Sequence, residues 1–264
     1  MNLAFTVIIP ARYASTRFPG KPLANLAGKP MLLHACDRAL ESGAAKVLVA
    51  TDDRRIADAV SRASSVQVIM TDSNHQSGTD RLAQAVEQLA LPDDATVINL
   101  QGDEPLMPPG HIRRVAKLLT EAPDADMSTL VMPIRDPEEV ANPNVVKAVL
   151  DSRGYALYFS RAPIPWSRDT GGQAMTGAQG WHRHLGLYGY RAGFLRAYPS
   201  LEAPAIERLE ALEQLRALWH GHRIVAAVVE QDGGPGIDTP ADLKRAESII
   251  GTLLGNQDGQ VDHE

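Results

Sequence analysis

The chain has 264 residues, of which 44% are hydrophobic and 22% are charged, as in an ordinary globular protein. Its net charge is −6 and it has no run of Lys or Arg, which argues against a nucleic-acid partner. The single cysteine, Cys36, excludes an intrachain disulfide, and its apolar neighbours predict a buried thiol. The amino-terminal residues lead directly into an apolar strand, and no apolar run reaches the roughly 20 residues of a membrane span. We therefore expect a cytoplasmic protein with no membrane partner.

Strands and helices alternate through the first half of the chain. Residues 6–10 form a continuous β-branched apolar run, which is typical of a strand buried on both faces. Further strands are predicted at 46–50, 66–70 and 96–100, and helices at 31–42, 54–63, 79–89 and 111–121. This alternation predicts an α/β fold with a doubly wound, mostly parallel sheet that has helices on both faces.

The second half has a different pattern. Strands are predicted at 127–132, 145–150 and 155–159 with no helix between them, which indicates a smaller, mixed or antiparallel extension of the sheet. The glycine-rich segment 171–180 is the best candidate for a mobile loop. The remaining predicted elements are a strand at 184–190, an amphipathic helix at 206–219, a strand at 224–229 and a helix at 240–254. The polar residues from 255 to 264 are expected to be a disordered tail.

A basic loop follows the first strand, where ligands of open α/β sheets bind. It contains Arg12, Arg17 and Lys21 together with small residues and Gly20. Guanidinium groups match phosphate oxygens, and small residues let backbone N–H groups approach, so the loop suits a triphosphate. It is neither a Walker A loop nor a dinucleotide-binding Gly-x-Gly-x-x-Gly motif. Charge alone leaves a solvated basic loop as an alternative.

Two acidic residues are candidates for holding a metal ion. Asp103 follows the apolar strand at 96–100, and Mg²⁺ usually takes one or two carboxylates together with substrate phosphates. An alternative role for Asp103 is to cap the next turn. Asp238 precedes a helix that opens at Pro240, so its alternative role is that of an N-cap.

The string from Pro10 to Pro22 resembles the signature of the cytidylyltransferases that activate 3-deoxy-manno-octulosonate (KDO) for lipopolysaccharide biosynthesis. These enzymes have the nucleotide-diphospho-sugar transferase fold, and the resemblance extends over residues 4–250. It implies CTP and an acidic sugar as substrates, Mg²⁺ as cofactor, and a homodimer. The catalytic residues that it implies are Arg12, Lys21, Asp103 and Asp238, with both aspartates as Mg²⁺ ligands.

The resemblance also assigns binding residues. For the nucleotide these are Arg12, Ser15, Arg17, Lys21, Ser77, Gly78, Arg81 and Gln101. For the sugar they are Gln101, Arg161, His184, Tyr188, Glu213 and Gln214. From the residues alone, Ser77 is equally a helix cap, Tyr188 a core aromatic residue and Glu213 part of a solvated helix face.

The reaction that the resemblance implies is transfer of CMP from CTP to KDO with release of pyrophosphate. Alternatives are another sugar acid, such as 8-amino-KDO or a sialic acid, or a non-catalytic nucleotide-binding regulatory protein. We expect one domain over residues 1–254. In it, 1–125 and 221–254 form mainly the nucleotide-binding core, and 126–220 mainly the part that binds the sugar and forms the dimer.

Overall fold

The computed structural model describes residues 3–14, 18–75, 77–171 and 180–258. Its strands are β1 (Thr6–Ala11), β2 (Asn25–Leu26), β3 (Lys29–Pro30), β4 (Lys46–Thr51), β5 (Gln67–Met70), β6 (Thr96–Asn99), β7 (Met127–Pro133), β8 (Lys147–Leu150), β9 (Ala156–Ser160), β10 (His182–Arg191) and β11 (Ile224–Val228). Its α-helices are α1 (Met31–Glu41), α2 (Arg54–Ala63), α3 (Gly78–Gln88), α4 (Pro109–Glu121), α5 (Pro137–Ala141), α6 (Ala192–Ala197), α7 (Ala205–Glu210), α8 (Gln214–Trp219) and α9 (Pro240–Asp258). Short 3₁₀ helices occupy Lys21–Leu23 and Tyr198–Ser200.

Within these described residues, nine strands form one sheet. Its main order is β11-β7-β10-β6-β1-β4-β5, and β8 and β9 branch from β10. The pairs β1–β4, β1–β6, β4–β5 and β7–β11 are parallel, whereas β10 is antiparallel to β6, β7 and β8. The predicted mostly parallel α/β sheet with an antiparallel extension is therefore confirmed.

The central position of β1 follows from its sequence. All six residues of Thr6–Ala11 are buried, because helices cover both faces of the sheet. One core cluster joins β1 to α1, α2 and α4, and a second lies on the opposite face with α3, α6 and α8. The carboxyl-terminal ends of β1 and β6 thus lie beside each other at one edge of the sheet.

The predicted helix at 206–219 is wrong. It is two short helices, α7 and α8, because Ala211 has a left-handed backbone conformation with φ of 50°. The prediction rested on leucines at three-residue spacing, at 209, 212, 215 and 218, but these do not share one face: Leu212 is buried, whereas Leu209 is 85% exposed. The helix α5 was also not predicted, although Asp136 caps it by accepting a hydrogen bond from the Glu138 N–H.

Two predicted irregular segments lie partly outside the described residues. Helix α9 continues to Asp258, and residues 259–264 are not described, so the expectation of a disordered tail over 255–264 stays a prediction. Residues 172–179 of the predicted mobile loop are also not described. Strands β7 and β10 lie inside 126–220 but belong to the central sheet, and the division of the chain into two functional parts stays a prediction. Over the described ranges, none of the helices combines the length and apolar character needed to cross a bilayer.

Candidate active site

A cavity of about 410 Å³ lies at the carboxyl edge of the parallel strands. It is bounded by the end of β1, the loop after β6, the 3₁₀ turn at Lys21 and the first turn of α3. The predicted nucleotide, metal and catalytic residues that line it are Arg12, Lys21, Gly78, Arg81, Gln101, Asp103 and Asp238. Ser15 and Arg17, which were also predicted to bind the nucleotide, lie outside the described residues. The fold thus brings segments that are far apart in sequence to one opening.

Lys21 lies between the two predicted metal ligands. Its Nζ is 2.6 Å from Asp103 Oδ2 and 3.1 Å from Asp238 Oδ1. The lysine side chain is only 13% exposed, whereas that of Asp238 is 47% exposed. Both carboxylates therefore flank one point at the cavity wall, which in this structure is occupied by an ammonium group.

Backbone contacts explain how Asp238 reaches Asp103. The N–H of Ile237 donates to the carbonyl of Asp103 at 2.9 Å, and the Ile237 side chain is fully buried. The cap of α9 is made by Thr239, whose hydroxyl accepts from the Asp242 N–H while the Asp242 carboxylate accepts from the Thr239 N–H. Asp238 is therefore not the N-cap of α9. The glycine-rich turn at 233–236 is followed by Ile237, which is held by its hydrogen bond to Asp103 and by burial of its side chain.

The loop after β6 contains Gly102, which lines the cavity, and next to Asp103 a buried carboxyl group. At Gly102 a Cβ atom would lie 3.0 Å from Leu32 Cδ1 and 3.3 Å from the carbonyl of Pro10, so glycine lets the loop pack against β1. Sequence reasoning missed Glu104, whose Oε2 is buried without a hydrogen-bond partner among the described residues. Burial, and then the charge of Asp103, raises the pKa of Glu104 to about 8.

The first turn of α3 presents Arg81 to the cavity. Ser77 caps this helix in a capping box with Asp80, which agrees with the helix-cap alternative and places Gly78 at the cavity wall. The Arg81 side chain is fully buried: Nη1 donates to the Thr71 hydroxyl and Nη2 lies 3.3 Å from Asp52 Oδ1. Its Nε makes no hydrogen bond within the described part of the chain. Burial lowers the pKa of Arg81, opposed by the charge of Asp52.

A second group of polar and aromatic residues adjoins the cavity through β6. Tyr188 pairs with Asn99 across β10 and β6, and Gln101 Nε2 donates to Asn99 Oδ1 at 3.4 Å. Glu213, at the start of α8, accepts from the Thr79 hydroxyl at 3.1 Å. Burial of the carboxyl group raises the pKa of Glu213, although the residue as a whole is exposed. Predicted sugar residues from three separate segments thus meet beside Gln101.

His184 is a neutral member of this group. Burial lowers its pKa to about 3. The Thr129 hydroxyl lies 2.9 Å from His184 Nε2 and also 2.9 Å from the carbonyl of Leu187, to which it donates. The hydroxyl therefore accepts from Nε2–H, which leaves Nδ1 as a hydrogen-bond acceptor. His184 can accept from a sugar hydroxyl, but it carries no positive charge for a carboxylate.

Arg161 and Gln214 are placed differently from the other predicted sugar residues. The Arg161 guanidinium donates to the carbonyls of Glu210 at 2.7 Å and Pro143 at 2.9 Å, so it holds the end of α7 against β9. Gln214 is buried as the first residue of α8. A role for either in binding the sugar stays a prediction. Sequence reasoning missed Tyr190, whose hydroxyl contacts both Thr79 and Asn99.

The comparisons with known proteins agree with this arrangement. A family model described as "Cytidylyltransferase" matches residues 6–224. The chain belongs to the cytidylyltransferase family. It is 58% identical to a 3-deoxy-manno-octulosonate cytidylyltransferase of Alkalilimnicola ehrlichii, over 95% of this chain and 97% of the relative. It is 56% identical to the protein of that name from Halorhodospira halophila, over 91% of this chain and 95% of the relative.

A solved cytidylyltransferase structure shares the whole architecture. It is described as a CMP:2-keto-3-deoxy-manno-octonic acid synthetase complexed with CTP. It aligns with a TM-score of 0.86 and 39% sequence identity, covering 95% of this chain and 99% of that chain. The similarity therefore includes both the parallel and the antiparallel parts of the sheet.

The carboxylates of this cytidylyltransferase are of the type that suits Mg²⁺. Asp103 and Asp238 offer hard oxygen ligands on either side of one cationic group. No cluster of three or more His, Cys, Asp or Glu that could hold a metal occurs in the described ranges. Two carboxylates beside a cavity lined by Arg12 and Lys21 are the ligand set expected of an ion that also binds substrate phosphates.

Proposed function

We propose that this chain transfers CMP from CTP to KDO and releases pyrophosphate. The observation that carries the proposal is the convergence of Arg12, Lys21, Asp103 and Asp238 on one cavity at the strand ends of a cytidylyltransferase. The anomeric hydroxyl oxygen of the sugar bonds to the α-phosphorus of CTP. The bond from that phosphorus to the bridging oxygen of the pyrophosphate breaks, and the hydroxyl proton is released.

The residues of the cavity act mainly through charge. Transfer at phosphorus needs positioning and neutralisation of the phosphate oxygens more than it needs covalent chemistry. Arg12 and Lys21 would bind the triphosphate, and Asp103 and Asp238 would hold Mg²⁺. The bound ion supplies further neutralisation of the leaving pyrophosphate. Lys21 competes with a cation for one oxygen of each carboxylate, and the phosphates of CTP would offer its ammonium group another partner.

The buried guanidinium of Arg81 supports CTP over UTP. Its Nε is a buried donor with no partner within the described ranges, and an unmatched buried donor is costly. A guanidinium can only donate hydrogen bonds. Cytosine presents the acceptors O2 and N3 side by side, whereas uracil has a donor at N3. A uracil placed against Arg81 would therefore bring its N3–H donor against an N–H donor of the guanidinium, and no hydrogen bond could form between them.

The group beside Gln101 supports a polyhydroxylated sugar acid. Tyr188, Glu213 and the neutral His184 can each donate to or accept from hydroxyl groups. The sugar named in the relatives' descriptions is 3-deoxy-manno-octulosonate, and it has hydroxyls of this kind. The charged contact to its carboxylate has to come from a group other than His184, because that imidazole is neutral.

A matrix of substrates tests the function. Pyrophosphate release is measured with CTP, UTP or ATP, each combined with KDO, 8-amino-KDO or a sialic acid, with and without Mg²⁺. We expect turnover with CTP, KDO and Mg²⁺ together, and little with the other nucleotides. Equal turnover with a sialic acid, or none with KDO, would contradict the assignment. Tight binding of CTP with no turnover of any sugar acid would favour a regulatory protein.

We further propose that the enzyme acts in the cytoplasm as a homodimer. CTP is a cytoplasmic substrate, which supports that location. Two exposed leucines, Leu157 of β9 at 60% and Leu209 of α7 at 85%, support a second copy as the partner. They lie on elements joined by a hydrogen bond from Ser160 to Glu210, at the antiparallel end of the sheet.

A further inference from the structure

Tyr13 lies two residues beyond β1, at the entrance to the basic loop. The Arg55 guanidinium lies over its ring, with Cζ 3.4 Å from the ring centroid. Contact at this distance is both a stacking and a cation–π interaction. It connects the loop to the first turn of α2, which the function proposed above does not use.

The position of Arg55 is itself fixed. Its Nε and Nη2 donate to the two oxygens of Asp53 at 3.0 and 2.6 Å. Asp53 is the N-cap of α2 and accepts from the Arg55 N–H at 2.9 Å. Asp53 thereby restrains the guanidinium plane of a side chain that is 60% exposed. An exposed ion pair contributes little to the free energy of unfolding by itself. This ion pair matters because its two hydrogen bonds orient the Arg55 guanidinium.

Tyr13 also contacts the turn that carries Lys21. Gly20 donates its N–H to the carbonyl of Tyr13 at 3.1 Å. A Cβ atom on Gly20 would lie 3.2 Å from the ring carbon Cζ of Tyr13 and 3.1 Å from its hydroxyl oxygen, and the φ of 72° at Gly20 also favours glycine. The turn therefore rests directly on the tyrosine. Lys21 follows Gly20 and reaches Asp103 at 2.6 Å.

We propose that Asp53, Arg55 and Tyr13 form a stack that positions the Gly20–Lys21 turn for the CTP triphosphate. Tyr13 and Arg55 are positioning residues that act through Lys21, and the inference rests on the proposed function. If the stack is weakened, the Gly20–Lys21 turn can shift, and the expected result is weaker binding of CTP. Tyr188 lies on β10 and Glu213 directly precedes α8, so the predicted sugar group is on other elements and we expect it to keep its geometry.

Calorimetric titration of CTP without sugar, together with steady-state kinetics, tests the stack. We expect Tyr13→Leu and Arg55→Gln each to weaken CTP binding and raise its KM by about threefold to tenfold, the range of one cation–π contact. The KM for the sugar should stay within about twofold of the wild-type value, on the same scale of contact energies. Tyr13→Phe keeps the ring under Arg55 and should retain CTP affinity.

Arg62→Gln is the matched control. Arg62 is another exposed arginine of α2, and its Nη2 lies 3.9 Å from Asp58 Oδ2. The control should bind CTP as the wild type does. Unchanged CTP affinity in Tyr13→Leu, or equal rises in the KM of both substrates in Arg55→Gln, would overturn the positioning role while leaving the proposed function intact. A wild-type chain that fails to bind CTP would overturn both.

Discussion

At the scale of single residues, burial determines the charge of His184. Its pKa is about 3 in the folded protein and near 6.5 in an unfolded chain. Below pH 6.5 the unfolded state binds a proton that the folded state does not, so stability falls as the pH falls through this window. Between pH 7 and 5 this single group should lower the free energy of unfolding by about 2 kcal/mol.

Urea unfolding of the wild type and of His184→Gln at both pH values measures this contribution. Glutamine keeps an amide N–H for Thr129 but does not titrate. The wild type should lose about 2 kcal/mol more than the variant on acidification, because the other titrating groups are common to both. Parallel losses in the two proteins would show that His184 is not held neutral.

The Lys21 ammonium group between Asp103 and Asp238 predicts competition with a metal ion. Mn²⁺, which takes similar oxygen ligands, should bind the CTP-free Lys21→Met variant about tenfold or more tightly than it binds the wild type, because a positive charge at the site has been removed. Electron paramagnetic resonance measures the free ion. Addition of Asp238→Asn should weaken this binding again.

Lys29→Met is the control for net charge. Lys29 lies in the same part of the chain but pairs with Asp37, outside the cavity. Both lysine variants lower the net charge equally, so a general electrostatic effect would appear in both. Equal Mn²⁺ affinity in Lys21→Met and Lys29→Met, or no binding by any of the proteins, would contradict a metal site at these carboxylates.

The placement of Asp103 was accessible from the sequence because it follows a strongly patterned strand, whose carboxyl end lies at the ligand edge of a parallel sheet. For Asp238 the residues alone suggested a helix cap, and the family resemblance pointed to the cavity. The surroundings of Glu104 and Tyr190 could not be predicted from the sequence. Their surroundings depend on the pairing of β10 with β6, and no local pattern specifies that pairing.

At the scale of elements, the break between α7 and α8 determines where Glu213 lies. Ala211 ends α7 with φ of 50°, a conformation that costs an L-residue about 1–2 kcal/mol and costs glycine little. Ala211→Gly should therefore raise the free energy of unfolding by up to about 1 kcal/mol. In an uninterrupted helix the same change would lower the free energy of unfolding by about 1 kcal/mol. The sign of the change therefore distinguishes two helices with a left-handed residue between them from one continuous helix.

Ala59→Gly supplies the comparison for this measurement. Ala59 lies inside the regular helix α2, where glycine should cost about 1 kcal/mol. Urea unfolding of the two variants should therefore shift in opposite directions. A loss of stability in both would mean that residues 205–219 behave as one helix, as the leucine spacing indicated. That spacing misled because Leu212 packs in the core while Leu209 faces solvent.

At the scale of the whole molecule, the parallel half of the sheet was predictable and the reversed strand was not. Strands β1, β4, β5 and β6 are joined through helices, and such connections produce parallel neighbours. Strand β10 enters between β6 and β7 in the opposite direction after a long excursion through β8 and β9. Its order in the sheet depends on contacts far apart in the chain, which a local pattern does not encode.

The same excursion leaves an apolar end on the molecule. Strand β9 pairs only with β8 among the described strands, and it carries Leu157, which is 60% exposed. Helix α7 carries Leu209, which is 85% exposed, and is tied to β9 by the 2.6 Å hydrogen bond from Ser160 to Glu210. Removing exposed leucines from water is favourable. In a two-fold symmetric dimer, each copy of the chain would bury Leu157 and Leu209 of the other.

Sedimentation velocity over a range of micromolar concentrations tests this dimer. The wild type should sediment as a dimer, and Leu209→Glu should shift it toward the monomer, because a buried carboxylate without a partner is costly. Leu40→Glu is the control, since Leu40 is an exposed leucine, at 43%, on the distant helix α1. It adds the same charge and should leave the dimer intact. Equal dissociation by both substitutions would show that the dimer does not depend on Leu209. A monomeric wild type would contradict the dimer itself.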